Sequence, residues 1–247
     1  MKKLLLLLTA LLLAGGVLAA AAKPAVTLPV APVKPEIPPV FMELEKLMEQ
    51  KEYTKVIELV DKTLAETPGD FRLIAIKSFT QFKFMNDRAA AFATVDRAIA
   101  DYPKLFDLYD FKVELIRQSQ DPNADEKIFA VYRQVAINFA DQPLQLSDLG
   151  FGLLQRPLGE GRLSPALLLL RTARDNMAKC TPGEQYLILT NLARGCYFAS
   201  RADLAAKLQT EANKLAANDV DKVTGTKLLN FYNEAGEMAK ELSDVGL

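Results

Sequence analysis

A proline recurs along this chain at Pro68, Pro103, Pro143 and Pro182, spaced by 35, 40 and 39 residues. Each sits in a similar phrase: LAETPGD ending at Asp70, IADYPKL over 99–105, FADQPLQ over 139–145 and AKCTPGE over 178–184. Proline lacks the backbone N–H and biases the residue before it away from the helical region, so a helix running into any of these phrases must stop. What runs into them is helical in pattern. In KEYTKVIELVDKTLAETPGD, residues 51–70, apolar Val56, Ile57, Val60 and Leu64 recur at intervals of one, three and four behind Tyr53. Sustained period-two alternation is missing, as are Asn-Gly and Asp-Gly hairpins. The periodicity predicts helices over 41–51 and 53–66, 71–85 and 87–101, 104–118 and 124–141, 144–155 and 164–179, 184–199 and 201–217, and a last one over 221–242. A stop every 35–40 residues, after each second helix, is what a stacked array of helix hairpins requires.

The last segment, DKVTGTKLLNFYNEAGEMAKELSDVGL, carries an apolar stripe of Leu228, Leu229, Tyr232, Ala235 and Ala239. Lys227, Asn230, Glu234, Glu237 and Glu241 lie on the other face. A one-faced terminal helix is the cap that a repeat array needs.

These residues resemble the tetratricopeptide repeat (TPR). In that family the second helix of a unit opens on a bulky aromatic, carries small residues one and two further turns on, and stops at proline. Residues 51–70 supply Tyr53 and Pro68, with Val56 and Thr63 in the small slots; residues 87–103 supply Ala91, Ala98 and Pro103, with Arg88 in place of the aromatic. The clearest copy is LILTNLARGCYFASRADLAAKLQTEANKL, 187–215, where Leu189, Leu192, Ala193, Ala205 and Ala212 fill the apolar and small slots. The glycine of the first helix is replaced by Leu44, Ser78 or Ala193, and Trp is missing from the chain. The resemblance spans 41–217. It implies an all-α fold of helix hairpins stacked as a right-handed TPR-like α-solenoid with a C-terminal capping helix. A non-repeating helical bundle is the rival.

Ahead of the helices stand two distinct segments. Lys2 and Lys3 precede an apolar run from Leu4 to Leu13 broken only by Thr9, then Gly15-Gly16 and an Ala-rich stretch. This is the layout of a secretory signal peptide over 1–22, cleaved after Ala20, Ala21 or Ala22. The alternative is an uncleaved inner-membrane anchor, since residues 4–22 are uncharged and just long enough to span a bilayer. Residues 23–40, KPAVTLPVAPVKPEIPPV, hold six of the thirteen prolines. They read as an extended tether of ~3.1 Å per residue, or ~55 Å in all. Overlapping Pro-x-x-Pro steps at Pro29, Pro32, Pro35 and Pro38 serve better as a spacer than as a docking motif. The helical repeat domain then occupies 41–247. Cys180 and Cys196 are expected to stay unpaired: one ends a helix and the other lies ~18 Å along the next, beyond the ~7 Å that a disulfide allows.

The composition closes off several chemistries. The chain has no His, which removes Ser–His and Cys–His nucleophiles, His metal ligands and His general bases. The 30 Lys+Arg fall just short of the 31 Asp+Glu, and by more once Lys2 and Lys3 of the leader are set aside, and no basic block argues for nucleic acid. GEGR at 159–162 lacks the Lys-Ser/Thr of a phosphate loop, and DPNADE at 121–126 lacks the glycine of a calcium loop; it reads as a helix opening. Asp107 and Asp110 share a polar helix face without an evident cleft. No enzyme activity, metal or cofactor is expected.

What remains is surface recognition. In TPR proteins the first helices of the pairs line a groove that holds a peptide or partner helix, and the resemblance implies Phe79, Phe82, Lys83, Lys112, Arg194, Tyr197 and Phe198 as its lining here. Phe79, Phe82 and Phe198 also fit a core stripe; Arg194 with Tyr197 is the strongest pair, as Arg and Tyr are enriched at binding hot spots. The expectation is an exported, periplasmic or secreted scaffold that binds an envelope protein or peptide. The alternative is a cell-wall or glycan-binding accessory module, for which aromatic platforms would serve.

Overall fold

The computed structural model describes residues 38–155 and 162–244. The leader, the tether up to residue 37 and most of the GEGR motif lie outside the described residues. Eleven α-helices follow one another, with no strand among the described residues: α1 Pro39–Glu49, α2 Tyr53–Glu66, α3 Phe71–Lys83, α4 Arg88–Asp101, α5 Phe106–Gln118, α6 Ala124–Asn138, α7 Pro143–Gln155, α8 Leu163–Asp175, α9 Pro182–Phe198, α10 Ala202–Asn213 and α11 Asp219–Asp244. The prolines act where expected, though two act as starts. Pro68 and Pro103 lie in turns, whereas Pro143 and Pro182 occupy the first helical position of α7 and α9, where a missing N–H costs nothing. Thr181 caps α9 with a capping box: its own N–H donates to Glu184 Oε2 (2.7 Å) while its hydroxyl accepts from the Glu184 N–H.

The chain divides into two compact units, with the boundary inside α5 between Lys112 and Val113. In the first, α1 packs on α2, α2 on α3 and α3 on α4. First helices also meet each other: Arg72 of α3 lies over the Phe41 ring of α1 (4.6 Å), and Phe71 meets Phe111 of α5 edge-on (6.1 Å). The core here is Phe41, Leu44, Val56, Val60, Leu73 and Ile76. Ser78, in the slot where the family has glycine, is fully buried and donates to the Ala91 carbonyl of α4 (2.9 Å). The small pair Ser78 and Ala91 brings those helices together.

In the second unit α7 packs on both α8 and α9, α6 on α8, α8 on α9, α9 on α10 and α10 on α11. First helices α7 and α9 thus lie side by side, and second helices α6 and α8 likewise, which is the two-layer pattern of a helical repeat. Leu170 of α8, fully buried, sits between two glycines. A Cβ on Gly150 of α7 would fall 2.8 Å from its Cγ, and one on Gly195 of α9 would fall 3.0 Å from its Cδ1. Glycine weakens a helix by about 1 kcal/mol; here it opens the space that Leu170 fills. The expected small slots Ala193, Ala205 and Ala212 are all fully buried.

A repeat in geometry stands behind the repeat in sequence. The backbone turns left-handed at Lys51 (φ 60°), Asn86 (φ 54°), Gln120 (φ 56°) and Ser200 (φ 59°), each just beyond the first helix of a pair. At Lys51 and Ser200 the hydrogen bonds form complete Schellman motifs, with Glu52 N–H donating to Leu47 O (3.0 Å) and Arg201 N–H to Cys196 O (2.9 Å). None of the four is glycine, and an L-residue in this region costs roughly 1–2 kcal/mol, partly offset by the greater freedom glycine has when unfolded. Replacing Lys51 and Ser200 with glycine is expected to raise unfolding free energy by roughly 0.5–1 kcal/mol each, read by urea denaturation. An ion pair also recurs in the first unit: Asp61 with Lys77 (2.5 Å) and, 35 residues on, Asp96 with Lys112 (2.6 Å). Each ties a second helix to the first helix of the next pair.

The last helix departs from the expected one-faced cap. Tyr232 and Gly225 are buried, and Leu228, Leu229 and Ala235 are half-buried, as the stripe requires. Ala239, however, is exposed, and the opposite side carries Val220, Val223, Phe231 and Met238 in solvent. Both cysteines are free, and burial pushes both thiols up.

Candidate functional site

The sequence-derived candidates divide between the units. In the first, Phe82 is buried, its ring edge-on to Phe92 (6.4 Å) with the Lys83 ammonium and the Arg88 guanidinium above it at 5.3 and 5.6 Å. Phe82 therefore belongs to the core and serves as a seat for two cations. Phe79 is half-buried and packs edge-on against Phe84 (6.0 Å), which in turn stacks on Tyr53 (4.9 Å, 20°). Lys83 is exposed; Lys112 is half-buried and committed to Asp96. An open cavity of ≈ 540 Å³ is lined by Lys51, Glu52, Tyr53, Thr54, Lys55, Phe84 and Met85. It reaches none of the four candidates of this unit, though Phe79 touches its wall through Phe84.

In the second unit the three candidates come together on the last two turns of α9. Arg194 is half-buried, with its guanidinium over the Phe151 ring of α7 (4.8 Å). Among the described residues no carboxylate lies within ion-pair distance of it. Tyr197, one turn on, is the centre of an aromatic group: its ring meets Phe198 (6.0 Å), Phe231 of α11 (4.9 Å) and Tyr232 of α11 (5.6 Å). Phe198 and Phe231 are 44% and 47% exposed, so this group has a solvent edge of two phenyl rings beside a cation.

Polar contacts hold this surface from below. Tyr186 of α9 donates its hydroxyl to the Asp221 carbonyl of α11 (2.9 Å). Gln209 of α10 donates to Asn213 Oδ1 (2.9 Å), and a Cβ at Gly225 of α11 would fall 2.1 Å from that oxygen. Glycine at 225 lets α11 lie down on α10. Tyr232 is 2% exposed, and its hydroxyl faces the Arg194 guanidinium without forming a well-aligned hydrogen bond to it. Burial pushes its phenol up to about 12, with the Arg194 guanidinium pulling the other way.

Elsewhere, burial and then the neighbouring Asp110 push the Asp107 carboxyl up, and burial does the same to Asp148. Among the described residues no group of three or more His, Cys, Asp or Glu is placed to hold a metal ion. No described helix is long and apolar enough to cross a membrane.

Phe151 and Phe231 were not among the sequence candidates. Phe151 lies in the segment 144–155 that reads as helical, and it is in α7, but nothing local places it under Arg194 of α9. Phe231 lies beside the stripe chosen as the buried face. A helical projection of 219–244 that counts Val220, Val223, Phe231 and Met238 would have found it.

No protein-family model matches the chain, and no curated protein matches it. The class that the fold defines is an all-α helical repeat, two-layered in its second unit. Its most developed surface is the Arg194–Tyr197–Phe198 face with Phe231.

Proposed function

We propose that this chain is an exported, non-catalytic scaffold of the TPR-like solenoid kind, binding an envelope protein or a peptide segment. The observation that carries the reading is Arg194: a half-buried guanidinium, seated on Phe151, lacking a carboxylate among the described residues, and flanked by half-exposed rings. Arg and aromatic anchors of this kind supply most of the energy at protein interfaces, and the bidentate guanidinium suits a carboxylate on the partner. Export rests on the leader pattern and the proline-rich tether, which would set the repeat domain off from a membrane or a wall. A second reading, glycan binding, draws on the exposed rings of Phe198 and Phe231, on which sugar rings could stack.

The test is capture from a detergent extract of the envelope fraction on immobilised protein. Beside it runs an Arg194→Glu/Tyr197→Ala variant whose helicity is checked by circular dichroism. A discrete protein retained by the parent, and reduced about tenfold or more in the variant, is the expected result. Retention of wall fragments instead, again lost in the variant, would favour the glycan reading. Equal retention of everything by both proteins would remove this surface from the function.

A further inference from the structure

The outer side of α11 is largely uncovered in the described structure, Phe231 alone touching Tyr197 of α9, yet it is not a solvent face. Of the nine large apolar side chains exposed among the described residues, four are here: Val220 (74%), Val223 (54%), Phe231 (47%) and Met238 (63%). At 100° per residue they project, with Lys227, Glu234 and, at the C-terminal end, Glu241, onto an arc of about 80°. The buried stripe of Gly225 and Tyr232 faces α10 from the other side. A helix already docked along one stripe therefore carries a second.

The charges on this arc are ordered. Lys227 lies in the N-terminal half and Glu234 in the C-terminal half, and neither has an ion-pair partner among the described residues. Side by side in parallel, two copies of α11 would set Lys227 against Lys227 and Glu234 against Glu234. Reversed about a two-fold axis between Asn230 and Phe231, the same two helices set Lys227 against Glu234 twice. That reversal also lays Val223 on Met238 of the other copy and brings the two Phe231 rings together at the axis. This register satisfies Lys227, Glu234, Val223, Met238 and Phe231 together and leaves Val220 and Glu241 facing each other at the two exposed ends of the contact, and antiparallel helix dipoles favour the same orientation.

We propose that the partner of this face is a second copy of the chain, docked antiparallel through α11. The contact is isologous and closes as a dimer. The stripe from Val220 to Met238 is only about 27 Å long, so the interface lies at the low end of those that hold a complex together. The dimer is expected to dissociate on the order of tens of micromolar. Phe231 belongs to both this face and the Arg194 surface, so the dimer covers one edge of that surface; the inference does not require Arg194 to bind anything.

Sedimentation equilibrium of the full chain tests it, with Lys227→Glu, Glu234→Lys and the two combined. Both positions are exposed, and circular dichroism follows their folding. The wild type is expected to dimerise with rising concentration, and each single swap to weaken the dimer at least about tenfold by facing like charges. The combined variant should restore it. So should an equimolar mixture of the two single variants, which pairs only as a heterodimer. A wild type monomeric at millimolar concentration, single swaps without effect, or failure of both the mixture and the combined variant to recover would each overturn the proposal. Association through the leader would be blind to the swaps and so counts against it.

Discussion

Leu170→Ala is expected to cost the second unit about 3–5 kcal/mol of unfolding free energy, read by urea denaturation followed by circular dichroism. The side chain is fully buried on α8, between α7 and α9, and its removal leaves a void walled by three helices. The void cannot collapse cheaply, because Gly150 and Gly195 contribute no side chains to fill it. Gly150→Ala alone should also destabilise. Its new Cβ would press on Leu170 Cγ and come 3.1 Å from the Ala166 carbonyl, and an overpacking cost of roughly 1–3 kcal/mol outweighs the gain of about 1 kcal/mol in helix propensity. Together the two changes should cost less than their sum by roughly 1 kcal/mol, since an alanine at 170 makes room for an alanine at 150. Strict additivity would mean that the glycines are not there for Leu170.

Tyr232→Ala should be comparably severe, about 3–5 kcal/mol, because it removes the largest buried side chain of α11 among the described residues and strips a ring from Tyr197. Tyr232→Phe separates the ring from the hydroxyl. The hydroxyl is buried with only a poorly aligned Arg194 guanidinium beside it, so its loss should change stability at pH 7 by less than about 1 kcal/mol in either direction. The difference appears in alkali. The folded phenol titrates near 12 and the unfolded one near 10. Between those values the folded state holds a proton that the unfolded state has released, so stability falls as pH rises through that window. Tyr232→Phe should lose this part of the alkaline slope. An identical slope in the two proteins would show that the phenol is not held as the structure has it.

Helices were the legible part of this sequence, for a local reason. Prolines at 68, 103, 143 and 182 act on their own neighbours, and the 3.6-residue periodicity is written within each segment. All eleven segments read as helical are helical, with ends displaced by a few residues where a turn begins early, as at Asn213 and Asp175. Features that depend on how two helices meet were less legible. Lys112 reads as a groove cation until α4 brings Asp96 beside it, and Phe82, which fits groove or core stripe in the sequence, is decided for the core only by the turn of α3 that points it inward. Arg194 and Tyr197 were legible because they are one turn apart. Phe151 and Phe231, which complete their surroundings, lie 43 and 34 residues away in the chain, on helices whose register no local pattern states. The second stripe of α11 was hidden for a different reason: Lys227 and Glu234 interrupt it, and a broken apolar row looks like a polar face.

The packing order of the helices bears on how this chain folds. In both units each helix rests chiefly on the next one or two along the chain, so most contacts close short loops. Such a topology costs little loop entropy at any step and places the chain among fast folders. Structure can begin at more than one hairpin and spread to either side, without waiting for distant segments to find each other. Loss of structure follows the same geometry in reverse. Within one chain α11 rests on α10 and on α9, so its release is an opening that disturbs few other helices.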